Sequence, residues 1–271
     1  MYAPLRFKVF GIATVVAVGS AFAMPLAHAT QTYYIDEGTD FTNGNPCDIY
    51  DVNTITASLQ TALGNDGWTG SRYVNPSAWP QDFWEECSSS YGTGGDDLYY
   101  GDNAILSVYA GHGSPHYLYF GSYHGSACTV SMTDNARLGE MAAAQGAFGM
   151  WLACEVIQGS DLGTTEYQWL HQQAGWQNSI SIGDDEPQDF YNATSSSTNA
   201  DAWLNQMSSG GRDAIIATTE TYTSGSTVDS CWSVHDSAKL KGNIFNTPRG
   251  GGPSCGNGPP EYWYCYEHWQ D

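Results

Sequence analysis

The feature that most constrains the fold is a regular alternation of short apolar runs with helix-like segments between residues 104 and 218. The clearest apolar runs, Ala104–Ala110 and Ala147–Ala153, have the length of buried strands. A segment with helical spacing of its apolar residues, Ala136–Ala144, lies between them. Because this alternation is typical of parallel strands joined by crossovers, it predicts an α/β fold with a mostly parallel sheet and helices on both faces.

The rest of the chain carries further signals. We predict helices at Asp48–Leu63, Pro76–Cys87, Thr164–Gln173 and Ala200–Met207, and strands at Tyr117–Phe120, Cys128–Met132, Trp176–Ile182 and Ala214–Thr218. A Gly/Pro-rich stretch, Gly250–Gly258, precedes an aromatic tail. We therefore expect residues 30–271 to form a single domain, with a disulfide-tethered appendage that begins at about residue 250.

The N-terminus has the pattern of a secretory signal. Arg6 and Lys8 precede the apolar stretch Val9–Ala23, and Ala27-His28-Ala29 matches an A-x-A cleavage site. We expect residues 1–29 to be removed and the protein to be secreted or otherwise extracytoplasmic. No later segment is apolar enough to span a bilayer.

The charge balance is strongly acidic. Removal of the signal would leave six basic and 29 acidic side chains, a formal charge of −23. This charge argues against binding to nucleic acid or to an anionic membrane surface, because both require positive charge that faces phosphate. Its simplest role is to keep an exported protein soluble, and we expect a monomer.

The chain contains seven cysteines, so at least one thiol is left over if the others pair. If Cys154 is the free one, the disulfide candidates are Cys47, Cys87, Cys128, Cys231, Cys255 and Cys265. Six cysteines allow 15 connectivities, and the sequence does not choose among them. A pair between Cys255 and Cys265 is the easiest guess, because it would close a local loop.

Two reactive side chains follow the two clearest apolar runs. Gly111-His112-Gly113 comes directly after the first run, and Cys154-Glu155 directly after the second. Because ligand sites in parallel sheets lie at the carboxyl ends of strands, we expect these side chains to meet. His112 could take the proton of the Cys154 thiol and later give it to a leaving amine. The backbone amides of Gly113 and Cys154 are the candidate oxyanion donors.

The same two motifs carry a resemblance to a known superfamily. Ala110-Gly111-His112-Gly113 and Leu152-Ala153-Cys154-Glu155, with 42 residues from His112 to Cys154, resemble the caspase, legumain, gingipain and clostripain superfamily of cysteine peptidases. The resemblance implies a caspase-like three-layer sandwich, with His112 as general acid/base and Cys154 as nucleophile. From Ile49 to Thr218 the chain is also similar to an uncharacterised group of exported bacterial proteins with this domain. That similarity rests on Gly67-Trp68, Trp79–Trp84 and Tyr109–Gly113.

The leading hypothesis is therefore an exported cysteine peptidase that cleaves peptides or proteins through a thioester acyl-enzyme. The caspase-type Gln-Ala-Cys-x-Gly pattern is absent, and ten Trp and 18 Tyr offer rings that could stack on sugars. The alternative is thus a secreted, non-catalytic protein that binds glycans or cell surfaces on the same scaffold.

A third hypothesis is a metal-dependent hydrolase. It is based on His112, His116 and His124, which cluster in the sequence beside many carboxylates. Calcium could bind the acidic loops 96–102 and 184–189, but neither fits a twelve-residue EF-hand loop and we expect both to be solvated surface. We expect that no metal or other cofactor is required.

Overall fold

The protein is described from a computed structural model, which covers residues 31–42, 47, 49–84, 95, 100–101, 103–124, 127–133, 136, 138, 147–159, 170–221, 228–241 and 262–270. The whole predicted signal peptide, residues 1–29, lies outside these residues. Most of the predicted helices Ala136–Ala144 and Thr164–Gln173 lies outside them too.

Within the described residues, ten strands form two sheets. The strands are β1 (Thr32–Glu37), β2 (Thr69–Val74), β3 (Leu106–Ala110), β4 (His112–Ser114), β5 (Tyr117–His124), β6 (Ala127–Ser131), β7 (Phe148–Leu152), β8 (Gln172–Trp176), β9 (Asp213–Thr221) and β10 (Tyr262–Gln270). The main sheet has the order β10-β9-β8-β7-β3-β1-β2, and β4, β5 and β6 form a small antiparallel sheet. Since β2, β1, β3, β7 and β8 are mutually parallel, the predicted α/β class with a mostly parallel sheet is confirmed.

The described part of the chain also contains four α-helices: α1 (Ala57–Asn65), α2 (Glu186–Ala193), α3 (Asn199–Met207) and α4 (Val228–His235). Two short 3₁₀ segments, Asn75–Ser77 and Pro80–Phe83, replace the predicted helix Pro76–Cys87 over the described part of that range. Within the described ranges, no helix is long and apolar enough to cross a membrane.

The main sheet separates two hydrophobic layers, because alternate residues of a strand point to opposite faces. In β3, Leu106 and Val108 belong to the layer that includes α1, α2 and α3, whereas Tyr109 faces the small sheet. In β7, Met150 and Trp151 divide in the same way. β3 and β7 are buried along their whole length, as expected of central strands covered on both faces.

The predicted helix Asp48–Leu63 is wrong in its first half, since α1 begins only at Ala57. Residues 49–56 are irregular because other groups take their backbone hydrogen bonds. The Glu37 carboxylate accepts from the amide of Ile55 (2.5 Å) and from the amide of Thr56 (3.3 Å). The predicted stop is confirmed: α1 ends at Asn65, and Gly67 adopts φ +83°.

The predicted strand Trp176–Ile182 is also misplaced. The predicted helix Thr164–Gln173 is wrong at its end, because Gln172 and Gln173 belong to a strand. Strand β8 occupies Gln172–Trp176, so Gly175 lies inside a strand and ends no helix. Buried amide side chains disguise this strand in the sequence. Gln172 donates to Thr218 Oγ1 (2.9 Å), and Gln173 accepts from the Trp151 indole (3.0 Å).

The aromatic tail supplies β10, which pairs antiparallel with β9 at one edge of the main sheet. Cys265 in β10 is bonded to Cys231 in α4, so the guess that it pairs with Cys255 is wrong. Cys47 is bonded to Cys128. The remaining candidates, Cys87 and Cys255, lie outside the described residues.

A buried pair of carboxyl groups lies on the small-sheet side of β1. The Tyr34 hydroxyl is 2.8 Å from Asp36 Oδ1 and 2.8 Å from Asp82 Oδ2, and both aspartates are almost fully buried. Burial, followed by the negative charge of Asp82, holds the pKa of Asp36 well above its usual range. The folded protein therefore favours the protonated form of Asp36.

We predict that this pair makes folding stability fall as pH rises. The folded-state pKa of Asp36 exceeds the unfolded value, so the stability that its proton contributes is present at acidic pH and lost as pH rises through the folded pKa. Asp36→Asn should flatten this slope. At pH 8 it should stabilise the fold relative to the wild type, because the amide is neutral at this buried position without taking up a proton.

Urea denaturation from pH 5 to pH 9 measures this slope. The exposed variant Asp184→Asn is the control and should keep the slope of the wild type. A parallel pH dependence in Asp36→Asn and wild type would contradict the proposed proton on this pair.

Candidate active site

The pairing of β3 with β7 places His112 and Cys154 next to the carboxyl ends of these two central strands. Ala110 and Leu152, the last residues of these neighbouring parallel strands, are register partners. His112 and Cys154 each lie two residues beyond them. A hydrogen bond from the Gly111 amide to the Leu152 carbonyl (3.1 Å) continues the pairing past the end of β3.

Strand β4, which follows β3 and contains Gly113, touches the turn after β7. A Cβ atom at this position would lie 2.6 Å from the Cys154 carbonyl oxygen and 2.9 Å from Ala153 Cβ. Only glycine permits this approach without a shift of backbone. The two candidate oxyanion donors, the amides of Gly113 and Cys154, therefore belong to segments in direct contact.

His112 is buried between two aromatic rings. The Phe41 and Tyr50 rings lie edge-on to the imidazole, with centroids at 4.8 and 4.2 Å. Its Nε2 is 2.6 Å from the Tyr50 carbonyl oxygen. Because a carbonyl only accepts, Nε2 carries the hydrogen, and Nδ1 of the neutral ring keeps the lone pair. This tautomer leaves Nδ1 as the basic nitrogen.

Cys154 is half-buried, and it is the free cysteine among the described residues. Both hydrogen bonds of its sulfur involve the backbone of Ile180. The Ile180 amide donates to Sγ (3.4 Å), and the thiol donates to the Ile180 carbonyl (3.7 Å). The next residue, Glu155, has φ +59° and accepts a hydrogen bond from the Ser179 hydroxyl (2.7 Å). The sulfur is thus held by the segment that follows β8.

One cleft of about 260 Å³ contains both reactive side chains. Its floor is formed by residues 111–112 and 152–154. One wall comes from Tyr50, Val52, Asn53 and Ile55, beside His112, and the other from residues 180–182, beside Cys154. The arrangement can present a nucleophile and a base to the same bound group.

A buried ion pair supports the wall beside His112. Arg72 Nη2 lies 2.5 Å from Glu37 Oε2, and the Thr56 hydroxyl donates to the same carboxylate oxygen (2.5 Å). Glu37 also accepts from the amide of Ile55, a residue that lines the cleft. Because Glu37 ends β1, this network attaches the irregular segment to the edge of the sheet.

The disulfide Cys47–Cys128 attaches the same segment to the small sheet through β6. Its cysteines are separated by 81 residues, so the bond constrains a long loop in the unfolded chain. Cys47 precedes Tyr50 by three residues. The bond therefore also limits how far the Tyr50 carbonyl can move from His112.

Sequence reasoning missed Tyr50 and Ile180 as parts of the site. The sequence predicts a helix at Tyr50 and a strand at Ile180, whereas both residues lie in irregular segments. Their roles depend on main-chain atoms, which any residue could supply. The sequence shows only that residues 49–56 and 180–182 contain apolar side chains, and this does not reveal where these segments lie in the fold.

The other candidate ligands do not come together. The His124 ring stacks on Trp79 (centroids 3.9 Å apart), His116 lies in the turn before β5, and His112 faces Tyr50. The predicted loop 184–189 is helical from Glu186 onward, where α2 begins, and Glu186 is paired with Arg212 (2.9 Å). The loop 96–102 lies mostly outside the described residues. Among those residues, no group of three or more His, Cys, Asp or Glu could hold a metal ion.

We predict that Gly113→Ala destabilises the fold by about 1–3 kcal/mol, because its methyl group overlaps the Cys154 carbonyl. Urea denaturation measures the change. Gly64→Ala is the matched control, because a Cβ there meets nothing within 4 Å and should stabilise α1 by about 0.5–1 kcal/mol. Equal stability of Gly113→Ala and wild type would contradict the close contact.

The comparison with protein families adds one finding. The family described as "Domain of unknown function (DUF6345)" matches residues 37–246, which include both strand-end motifs and both walls of the cleft. No curated protein matches the sequence. The match covers more than half of the chain, and the protein therefore belongs to the DUF6345 family.

Proposed function

We propose that the protein is an exported cysteine peptidase with a Cys154–His112 dyad. The observation that carries the proposal is that both side chains line one cleft at the carboxyl ends of neighbouring parallel strands. The hydrogen bond to the Tyr50 carbonyl further supports it, since it leaves Nδ1 of His112 free of that contact and basic. The disulfides Cys47–Cys128 and Cys231–Cys265 are consistent with an exported protein.

Acylation would begin when the thiol proton of Cys154 moves to Nδ1 of His112. The sulfur attacks the carbonyl carbon of the peptide bond, and the amides of Gly113 and Cys154 stabilise the oxyanion. The carbon–nitrogen bond then breaks as His112 gives the proton to the leaving amine. The product is a thioester on Cys154 and a free amine.

Deacylation would use water. His112 accepts a proton from the water molecule, whose oxygen attacks the thioester carbonyl. The carbon–sulfur bond breaks, the acid product leaves, and the proton returns to the Cys154 sulfur. The Tyr50 carbonyl would stabilise the imidazolium in both steps, because it accepts the hydrogen of Nε2.

We also propose that the domain is a caspase-like three-layer sandwich. Its support is the mostly parallel sheet with the two motifs at neighbouring strand ends. The described helices α1, α2 and α3 pack on one face, and the small sheet covers the other.

A second candidate function, glycan binding, is favoured by one specific observation. Trp269 in β10 is 53% exposed and lines a groove with Asp201, Asn205 and Glu267. An exposed indole beside hydrogen-bonding side chains is suited to stack on a sugar ring. Binding on a glycan array that is lost in Trp269→Ala would support this function, and an empty array would contradict it.

We predict that the mature protein cleaves members of a pooled peptide library under reducing conditions, with or without calcium. Cys154→Ala should abolish cleavage because it removes the nucleophile. His112→Gln should lower the rate by about 100-fold or more, the range for loss of general acid–base catalysis. Mass spectrometry of the products measures both changes.

Ser195→Ala is a suitable control, because Ser195 is exposed in the segment after α2 and does not line the cleft. It should keep at least the order of magnitude of the wild-type rate. Absence of cleavage by wild type beyond the Cys154→Ala background would contradict the peptidase proposal.

A further inference from the structure

The cleft that contains His112 and Cys154 has uncharged walls. Among the described residues that line it, none is an aspartate, glutamate, lysine or arginine. Six of the lining side chains are aliphatic: Val52, Ile55, Leu152, Ala153, Ile180 and Ile182. This composition differs sharply from that of the whole chain, which contains 29 acidic and eight basic residues.

The aliphatic side chains lie on both sides of the reactive pair. Val52 and Ile55 belong to the wall beside His112, and Ile55 is buried in the hydrophobic layer under α1. Ile180 and Ile182 belong to the wall beside Cys154, and both pack against the same layer. The walls are therefore anchored to the core, which favours a preformed site.

A charged substrate group would gain little in this cleft. Burial of a charge is costly unless an opposite charge or several hydrogen bonds replace its water. The described walls offer no side chain of opposite charge to an arginine, a lysine or an aspartate. An aliphatic side chain would instead exchange water for contacts with the isoleucine, valine and leucine side chains.

The size of the cleft limits what it can hold. Its volume of about 260 Å³ lies below the usual range of sites for drug-sized ligands, which begins at about 300 Å³. It suits one side chain and its adjoining carbonyl group better than a long peptide segment. The rest of a substrate would lie outside, toward the exposed Tyr50 ring.

We propose that this cleft selects an uncharged, aliphatic side chain on the residue whose carbonyl Cys154 attacks. The proposal rests on the proposed peptidase function and adds its substrate class. Selectivity comes from Val52, Ile55, Ile180 and Ile182 together, since they line the same cleft as the reactive pair.

Peptidyl acyloxymethyl ketones test the selectivity directly. The Cys154 sulfur displaces the carboxylate leaving group, so a carbon–sulfur bond forms, a carbon–oxygen bond breaks and the thiol proton is released. Three probes differ only in the residue beside the ketone: leucine, arginine or aspartate. Intact-mass spectrometry measures the labelling rate of the wild-type protein, and we expect the leucine probe to react at least about tenfold faster than either charged probe.

An isosteric variant adds charge to the wall. Asn53→Asp introduces a carboxylate at an exposed position that lines the cleft, with almost no change in size. It should reduce the preference of leucine over arginine by about tenfold, because the new charge pairs with the guanidinium. Asn192→Asp, on α2 and outside this cleft, adds the same charge at an exposed position and should leave the preference unchanged.

The outcomes separate this inference from the peptidase proposal. Faster labelling by the arginine or aspartate probe, still dependent on His112, would overturn the aliphatic selectivity and leave the peptidase proposal intact. Labelling of Cys154 that is no faster in wild type than in His112→Gln, for all three probes, would overturn both.

Discussion

The site depends on the parallel pairing of β3 with β7. Their register places Ala110 opposite Leu152, so that His112 and Cys154 leave the sheet side by side, two residues past their strands. A slip of one residue would turn every buried side chain of one strand to the opposite face and is therefore strongly disfavoured. The hydrophobic layers thus fix the position of both reactive groups. Contacts at Gly111 and Gly113 hold the chain after β3 against the turn after β7.

Two irregular segments complete what the strands begin. Residues 49–56 carry the Tyr50 carbonyl that sets the His112 tautomer, and they are held by Glu37 and by the disulfide of Cys47. The segment after β8 holds the Cys154 sulfur through the Ile180 backbone. Neither segment could form this site alone, because each relies on a strand end for its attachment. The position of His112 and Cys154, their hydrogen bonds and the aliphatic walls of the cleft therefore all depend on the carboxyl ends of the parallel strands.

The sequence was sufficient to predict the α/β class, both central strands and the position of the two motifs just past the ends of these strands. Those predictions rest on continuous apolar runs, which are local signals. It was insufficient for the walls, because Tyr50 and Ile180 act through backbone atoms and their placement depends on distant partners. It also misplaced β8, whose buried Gln172 and Gln173 satisfy their amides only in the tertiary structure. Disulfide pairing failed for the same reason, since Cys231 meets Cys265 only when α4 packs on β10.

The most direct test of the account is whether Cys154 becomes acylated with the help of His112. The wild-type protein and His112→Gln are mixed with an activated aryl ester, quenched in acid and analysed by peptide mass mapping. The account predicts an acyl group on the Cys154 sulfur of the wild type, and a much lower yield in His112→Gln at the same quench time. Acylation of another residue, or an equal yield in the two proteins, would contradict it.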